Sequence, residues 1–361
     1  MNRIVVKIKD IAITKLLFIS SLLVSSGCSK QPEISFSCDR DNVGNYVLRW
    51  EVSPRDAAKK IKIYMSDDDS VFNEPPLLEA DINDYVANIP ATDSVSRKFF
   101  KLRVNDTYSP VISNHYFRMD NLQNFRDIGG YFTSDGRQIK WGKLYRSGDF
   151  SALSSKDYQT LNALGIRTVV DFRETEEHES SPDLFRGQQM ISIPIASGNR
   201  SYIRERVLDG SFYRGDAIVF TQDMYKILIQ HYSDEYAEFF DLLCDESNYP
   251  VVFHGYLGKD RTGLASYFLL RALGVPDDTN VDDYLFSNSC ISEQQVIGEA
   301  RFLPERMQEA ATVICKADLS YLDYAKTWMI SLNGSVDEYM VHRLGLTQAK
   351  REKLRQILLY P

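Results

Sequence analysis

Val251-Val252-Phe253-His254-Gly255-Tyr256-Leu257-Gly258-Lys259-Asp260-Arg261-Thr262-Gly263 reads as a short buried strand, a tight glycine-containing turn and the opening of a helix. The first three residues are apolar without alternation, the pattern of a strand covered on both faces. Helical spacing predicts a helix over about 262–273, and Gly274-Val275-Pro276 stops it. Such a turn is an anion cradle. Glycine lets the backbone curl with its N–H groups inward, and the helix N-terminus adds positive dipole. Arg261 can grip two phosphate oxygens in a fork, and Lys259 adds a point charge. A plain strand–helix turn with a solvated Lys-Asp-Arg fits the same residues, so by themselves they leave both readings open.

Outward from this turn, residues 119–361 alternate helices and strands. Ser154-Ser155-Lys156-Asp157 opens an amphipathic helix through Leu161 and Leu164 that Gly165 closes, and Ile166-Arg167-Thr168-Val169-Val170 follows as a buried strand. One long helix is predicted over about 217–245. Ser335 caps a later helix, Gly345 ends it and Thr347 starts the last. From Ile34 to Arg118 the grammar differs. Tyr46–Val52, Ile61–Met65, Phe99–Val104 and Asn114–Arg118 show period-two patterning, with turns at 67–70 and 105–107. These strands predict a β-sandwich over 34–118, similar to fibronectin type III or immunoglobulin-like modules, a spacer or interaction module without catalytic residue types. Nothing in its residues names a partner.

The first 27 residues read as an export signal. Arg3, Lys7, Lys9 and Lys15 outweigh Asp10 and precede the apolar run Leu16–Val24, which is too short to span a bilayer. Ser25-Ser26-Gly27-Cys28 resembles a bacterial lipobox with Ser25 where leucine is usual, and predicts a lipid on Cys28 followed by a tether over 28–33. The expectation is a membrane-anchored lipoprotein of a bacterial envelope, in the periplasm or at the cell surface. With the basic segment at +3, the total of −8 leaves the body at −11. Such a body disfavours nucleic acid, so any phosphate handling needs a local positive pocket. The remaining cysteines, Cys38, Cys244, Cys290 and Cys315, and the five scattered histidines have no metal-ligand spacing. No metal and no cofactor are expected, and Cys244 and Cys315 read as buried free thiols.

His254 to Gly263 resembles the signature loop of cysteine-dependent phosphatases, His-Cys-x-x-Gly-x-x-Arg-[Ser/Thr]-Gly, with its Lys-Asp-Arg ending typical of the bacterial protein-tyrosine-phosphatase branch. Every fixed position matches except the cysteine, which is Gly255. Asn124-Phe125-Arg126-Asp127-Ile128-Gly129-Gly130 resembles that branch's opening motif. Leu144–Gly148, Gly165–Arg173, Asp283-Tyr284-Leu285 and Gly334-Ser335-Val336 follow in the usual order. The resemblance implies a cysteine-dependent phosphatase fold, a central mixed sheet flanked by helices, over 119–361. It also implies phosphorylated protein or lipid as ligand.

By resemblance, the loop from His254 through Tyr256, Leu257, Gly258, Lys259, Asp260, Arg261 and Thr262 binds phosphate, His254 in an orienting role. A thiolate at position 255 would attack phosphorus, and Arg261 would hold the equatorial oxygens. Asp171 would protonate the leaving oxygen, a reading level with that of a strand-end carboxylate paired to Arg173. Asp260 would assist or position Arg261. Arg126 and Asp127 read as braces. Tyr256, Tyr202 or Tyr213 would wall the pocket. The arginine-rich stretch 196–215 (Arg200, Arg204, Arg206, Arg214) reads first as a solvated segment, second as a lid. Gly255 supplies no nucleophile, and Tyr256 is a poor attacker in this geometry. Three functions follow: a phosphate-binding pseudophosphatase, a phosphatase by descent whose cysteine was lost recently or by an introduced substitution, or an envelope scaffold with a vestigial loop.

Overall fold

The computed structural model describes residues 31–91, 95–198, 205–292, 302 and 304–361. The segment expected to be an export signal, Cys28, Arg200, Tyr202 and Arg204 lie outside them. Strands β1 (Glu33–Arg40), β2 (Tyr46–Ser53), β3 (Lys60–Ser66), β4 (Leu78–Asp81), β5 (Val86–Ile89), β6 (Phe99–Val104) and β7 (Thr107–Tyr108) form two antiparallel sheets, ordered β1-β2-β5 and β4-β3-β6-β7. Their period-two patterning works as expected. In β2, Tyr46, Leu48, Trp50 and Val52 point into the core between the sheets, where they meet Ile61, Ile63, Phe100 and Leu102, while Arg49 and Glu51 face solvent. Trp50 buries its ring and donates its Nε1–H to the Ile82 carbonyl at 3.0 Å, satisfying the polar atom of the indole.

The rest is α/β. Strands β8 (Arg126–Asp127), β9 (Leu144–Ser147), β10 (Thr168–Asp171), β11 (Gln189–Ser192) and β12 (Val251–His254) make one sheet ordered β11-β10-β12-β9-β8. It is parallel except at β8, and so mixed. Central β12 is buried at every residue, as a strand covered on both faces must be. Around the sheet lie α1 (Ser155–Ala163), α2 (Thr175–Ser180), α3 (Arg214–His231), α4 (Ser233–Leu243), α5 (Arg261–Leu273) and α6 (Asp277–Cys290). They are followed by α7 (Glu305–Cys315), α8 (Leu319–Asn333), α9 (Val336–His342) and α10 (Gln348–Leu358). Among the described residues, no helix is long and apolar enough to cross a membrane.

Three expectations need correction. The helix predicted over 217–245 is two helices, because the chain leaves helical geometry at Tyr232 and restarts on Ser233-Asp234-Glu235, whose acids sit at the positive end of α4. Asn114–Arg118 is not a strand and makes a single bridge, Tyr116 to Arg126. Cys244 is half-buried rather than buried, while Cys38, Cys290 and Cys315 are buried, and all four are free thiols.

Phe253 sits at the centre of the larger core, its ring 4.9 Å from that of Phe239 and 6.2 Å from that of Phe172. Phe253→Ala opens a cavity under the strand that launches the loop and is expected to cost about 3–5 kcal/mol, read from the shift of a denaturant-unfolding midpoint.

Candidate active site

In the sheet's register, β12 ends at His254 beside Asp171, the last residue of β10, and Ser147, the last of β9. The loop thus leaves from the carboxyl edge of the parallel strands, where α/β folds place ligands. Asn124 Nδ2 donates to the carbonyls of Leu257 and Gly258, at 2.9 Å each, and an Arg146 N–H donates to the Gly258 carbonyl at 2.7 Å. With these carbonyls drawn backward, the N–H groups of Leu257, Gly258 and Lys259 donate to no protein acceptor among the described residues. Gly258 is required here. Its φ is +65°, and a Cβ would lie 2.1 Å from the Ser147 carbonyl oxygen.

The brackets behind the loop are themselves held. The Asp283 carboxylate on α6 takes hydrogen bonds from Arg126 Nε at 3.0 Å, Arg146 at 2.7 Å and the Tyr131 hydroxyl at 3.1 Å. Arg126 also donates to Asn124 Oδ1. Burial alone would raise the Asp283 pKa, but the two guanidinium groups outweigh it and hold the acid at about 2. Arg146, buried and beside a second arginine, is depressed to about 10 despite Asp283.

Arg261 opens α5, 5% exposed. One guanidinium nitrogen donates to the carbonyls of Phe172 (3.2 Å) and Ile195 (3.0 Å) and to Glu177 Oε2 (2.6 Å), and the other to Glu177 Oε1 at 3.2 Å. Glu177, on α2, therefore fixes the fork in place. Sequence reading missed it. Its local signature is only the capping box it makes with Glu174, and its partner lies 84 residues away. Lys259 is not a separate charge in the cradle. Its buried ammonium donates to both Asp260 oxygens, at 2.6 and 2.8 Å. The Tyr225 hydroxyl donates to the same carboxylate at 3.0 Å and meets that of Tyr284 at 2.7 Å.

Asp171 is tied into a different network. Its carboxylate accepts from the Arg173 backbone N–H at 2.8 Å and from the Arg173 guanidinium at 2.9–3.1 Å, with His178 Nδ1 at 3.0 Å. Burial pushes its pKa up, but His254 and Arg173 more than reverse this and bring it to about 2. A general acid needs a proton near working pH. This geometry weighs toward the bracing role that the sequence left level with the acid, and leaves Asp260 as the carboxylate of the loop itself. His254 is fully buried between Asp183 (Nε2 to Oδ2, 3.3 Å) and Asp171 (Nδ1 to Oδ1, 3.8 Å). Asp171, Asp183 and His254 are near enough together to hold a metal ion, yet the Arg173 guanidinium already bridges the two carboxylates at 2.9 Å each. A cation fills that space.

At Gly255, a Cβ would meet Thr262 Oγ1 at 3.2 Å and Arg261 Nε at 3.6 Å, so a side chain fits once the hydroxyl shifts by a few tenths of an ångström. That hydroxyl is buried and has no hydrogen-bond partner among the described residues. Tyr256 stands half-exposed on the loop, and Tyr213, exposed, packs under Arg306.

A model of the tyrosine phosphatase family matches residues 117–360. A Cupriavidus necator protein named as a tyrosine-protein phosphatase is 31% identical over 245 residues, covering 66% of this chain and 88% of that one. The triple specificity protein phosphatase PtpB of Mycobacterium tuberculosis is 27% identical over 278 residues, covering 65% of this chain and 96% of its own. The crystal structure of P. aeruginosa TpbA bound to pTyr is 16% identical with a TM-score of 0.28, over 52% of this chain and 90% of that one.

Asp171 and Asp283 both titrate lower in the fold than the ordinary carboxylate value of about 3.9. The unfolded chain therefore binds more protons below that value, and the stability these groups give is complete above about pH 4 and lost as pH falls toward 2. Asp171→Asn is expected to flatten this acid limb in unfolding midpoints measured from pH 6 to pH 2.

Proposed function

The chain belongs to the tyrosine phosphatase family, and we propose that, with glycine in place of the nucleophile, it binds phosphate monoesters without turning them over. One observation carries this reading: the cradle is fully built around Gly255. The carbonyls of Leu257 and Gly258 are held from behind by Asn124 and Arg146, the N–H groups of Leu257, Gly258 and Lys259 donate to no acceptor among the described residues, and Glu177 fixes Arg261. Losing the nucleophile of a coupled catalytic set costs about a million-fold in a serine protease, and a loss on that order suits this site. Affinity has no such dependence. A missing thiolate removes a negative charge that would repel the ligand.

The ligand is a phosphorylated protein or lipid. Phosphotyrosine is the first candidate, because Tyr256 offers an aromatic wall beside the cradle. The triple specificity in the name of the M. tuberculosis relative supports a wider range, and the resemblance of the Lys-Asp-Arg ending supports phosphoinositides among its members. The basic and apolar start of the sequence and its Ser-Ser-Gly-Cys support a place in a bacterial envelope, anchored by lipid on Cys28.

A second reading, a phosphatase whose cysteine was lost recently, is favoured by the space at position 255 and by the unpartnered Thr262 hydroxyl facing it. In that reading Thr262 would donate to a thiolate and Arg261 would hold the equatorial oxygens.

The protein as written is expected to bind vanadate and leave an aryl phosphate intact, while Gly255→Cys hydrolyses it at least a thousand-fold faster in steady-state assays. Hydrolysis by both at equal rates would end the pseudophosphatase reading. If neither binds nor turns over, the scaffold reading replaces it.

A further inference from the structure

The family model begins at residue 117, which leaves the sandwich without a role. Its contacts with the α/β part supply one. Arg97, on the segment entering β6, reaches out of the sandwich and forms a salt bridge with Asp127 of β8, both buried. Arg97 Nε donates to Ser113 Oγ at 2.8 Å, and an outer nitrogen donates to the Asn114 carbonyl at 3.2 Å. Its guanidinium lies 4.9 Å from the Trp141 ring centre and 5.4 Å from that of Phe117. Asp127 has work on the other side. Its carboxylate accepts the Gly129 N–H at 2.6 Å and the Gly142 N–H at 2.7 Å, fixing the two turns that enclose β8 and lead into β9.

Those two short strands carry the braces of the phosphate loop. Arg126 is the neighbour of Asp127 on β8, and Arg146, on β9, donates to the Gly258 carbonyl. Other bonds close the same seam. The Val111 carbonyl accepts from Gln138 Nε2 at 2.9 Å and Trp141 Nε1 at 3.0 Å, and near the chain's end the Tyr360 hydroxyl donates to Asp69.

We propose that Arg97 is a positioning residue of the phosphate site, through which the sandwich fixes β8 and β9 and hence the brackets behind the loop. The sandwich is then a working part of the oxyanion site rather than a spacer. Without Arg97, Asp127 is a buried carboxylate lacking its counter-charge, and the strand pair relaxes to let water reach it. An Arg97→Lys substitution keeps the charge but cannot donate to Asp127, Ser113 and Asn114 from one planar group.

The test uses full-length protein and two readouts, tungstate affinity and the unfolding profile. Arg97→Met is expected to lower the unfolding midpoint and weaken tungstate binding by the folded protein at least ten-fold, with Arg97→Lys recovering much of the affinity. A destabilised Arg97→Met protein that binds tungstate as tightly as the original would overturn the proposal. So would two separate unfolding steps with the phosphate site intact after the first. Hydrogen exchange on the unaltered protein decides the same point if Arg97→Met does not fold. The proposal expects the amides of Gly129, Gly142 and the sandwich core to open together, and independent opening of the sandwich would sink it. If the unaltered protein fails to bind tungstate, the phosphate-binding reading on which the first readout rests is wrong, while exchange still decides the coupling.

Discussion

Asn124 and Arg146 pull the carbonyls of Leu257 and Gly258 out of the loop between β12 and α5. A trans peptide sends its C=O and N–H in opposite directions, so holding these carbonyls from behind turns the N–H groups of Gly258 and Lys259 to the other side of the loop. Gly258 meets the requirement because a Cβ there would strike the Ser147 carbonyl. The anion site we propose thus follows from where two carbonyls are anchored. It needs Asn124, Arg146 and the network through Arg126 and Asp283 that fixes them, and none of this needs a cysteine at 255.

Electrostatics follow from the same network. Two buried guanidinium groups share one buried carboxylate, Asp283, so the ground beneath the loop carries an excess of positive charge. Burial, and after it the neighbouring Arg126, depress Arg146 to about 10. An acidic protein can thereby place local positive charge beneath the loop, with the α5 N-terminus adding its dipole. On the opposite flank, the single guanidinium of Arg173 is shared by two carboxylates, Asp171 and Asp183, beside His254, so the imbalance there has the opposite sign. Buried charges of this kind specify geometry more than they add stability. Removing one partner of either cluster leaves an uncompensated charge under the loop.

Much of this was legible in the chain because it depends on short-range pattern. The unbroken run Val251-Val252-Phe253 gave away a central strand, Arg261 and the residues after it a helix start, and alternation in Tyr46–Val52 a sandwich strand. The interruption at Tyr232 was also written locally, in Ser233-Asp234-Glu235, but two helical periodicities that run nearly into each other read as one. What stayed hidden depends on distant partners. Glu177 sits among other acids on a short exposed-looking helix, and only the fold brings Arg261 to it. Lys259 looks like a free cation until its ammonium is seen turned onto the neighbouring Asp260. Arg97 lies in a segment with no motif at all, and its partner is in another part of the molecule.

The central claim is that a complete phosphate cradle survives around Gly255. Equilibrium titration of the unaltered protein with tungstate, beside Arg261→Met, tests it most directly. The account predicts one saturable site on the unaltered protein and at least a hundred-fold weaker binding in Arg261→Met. Absence of binding, or binding indifferent to Arg261, would contradict it.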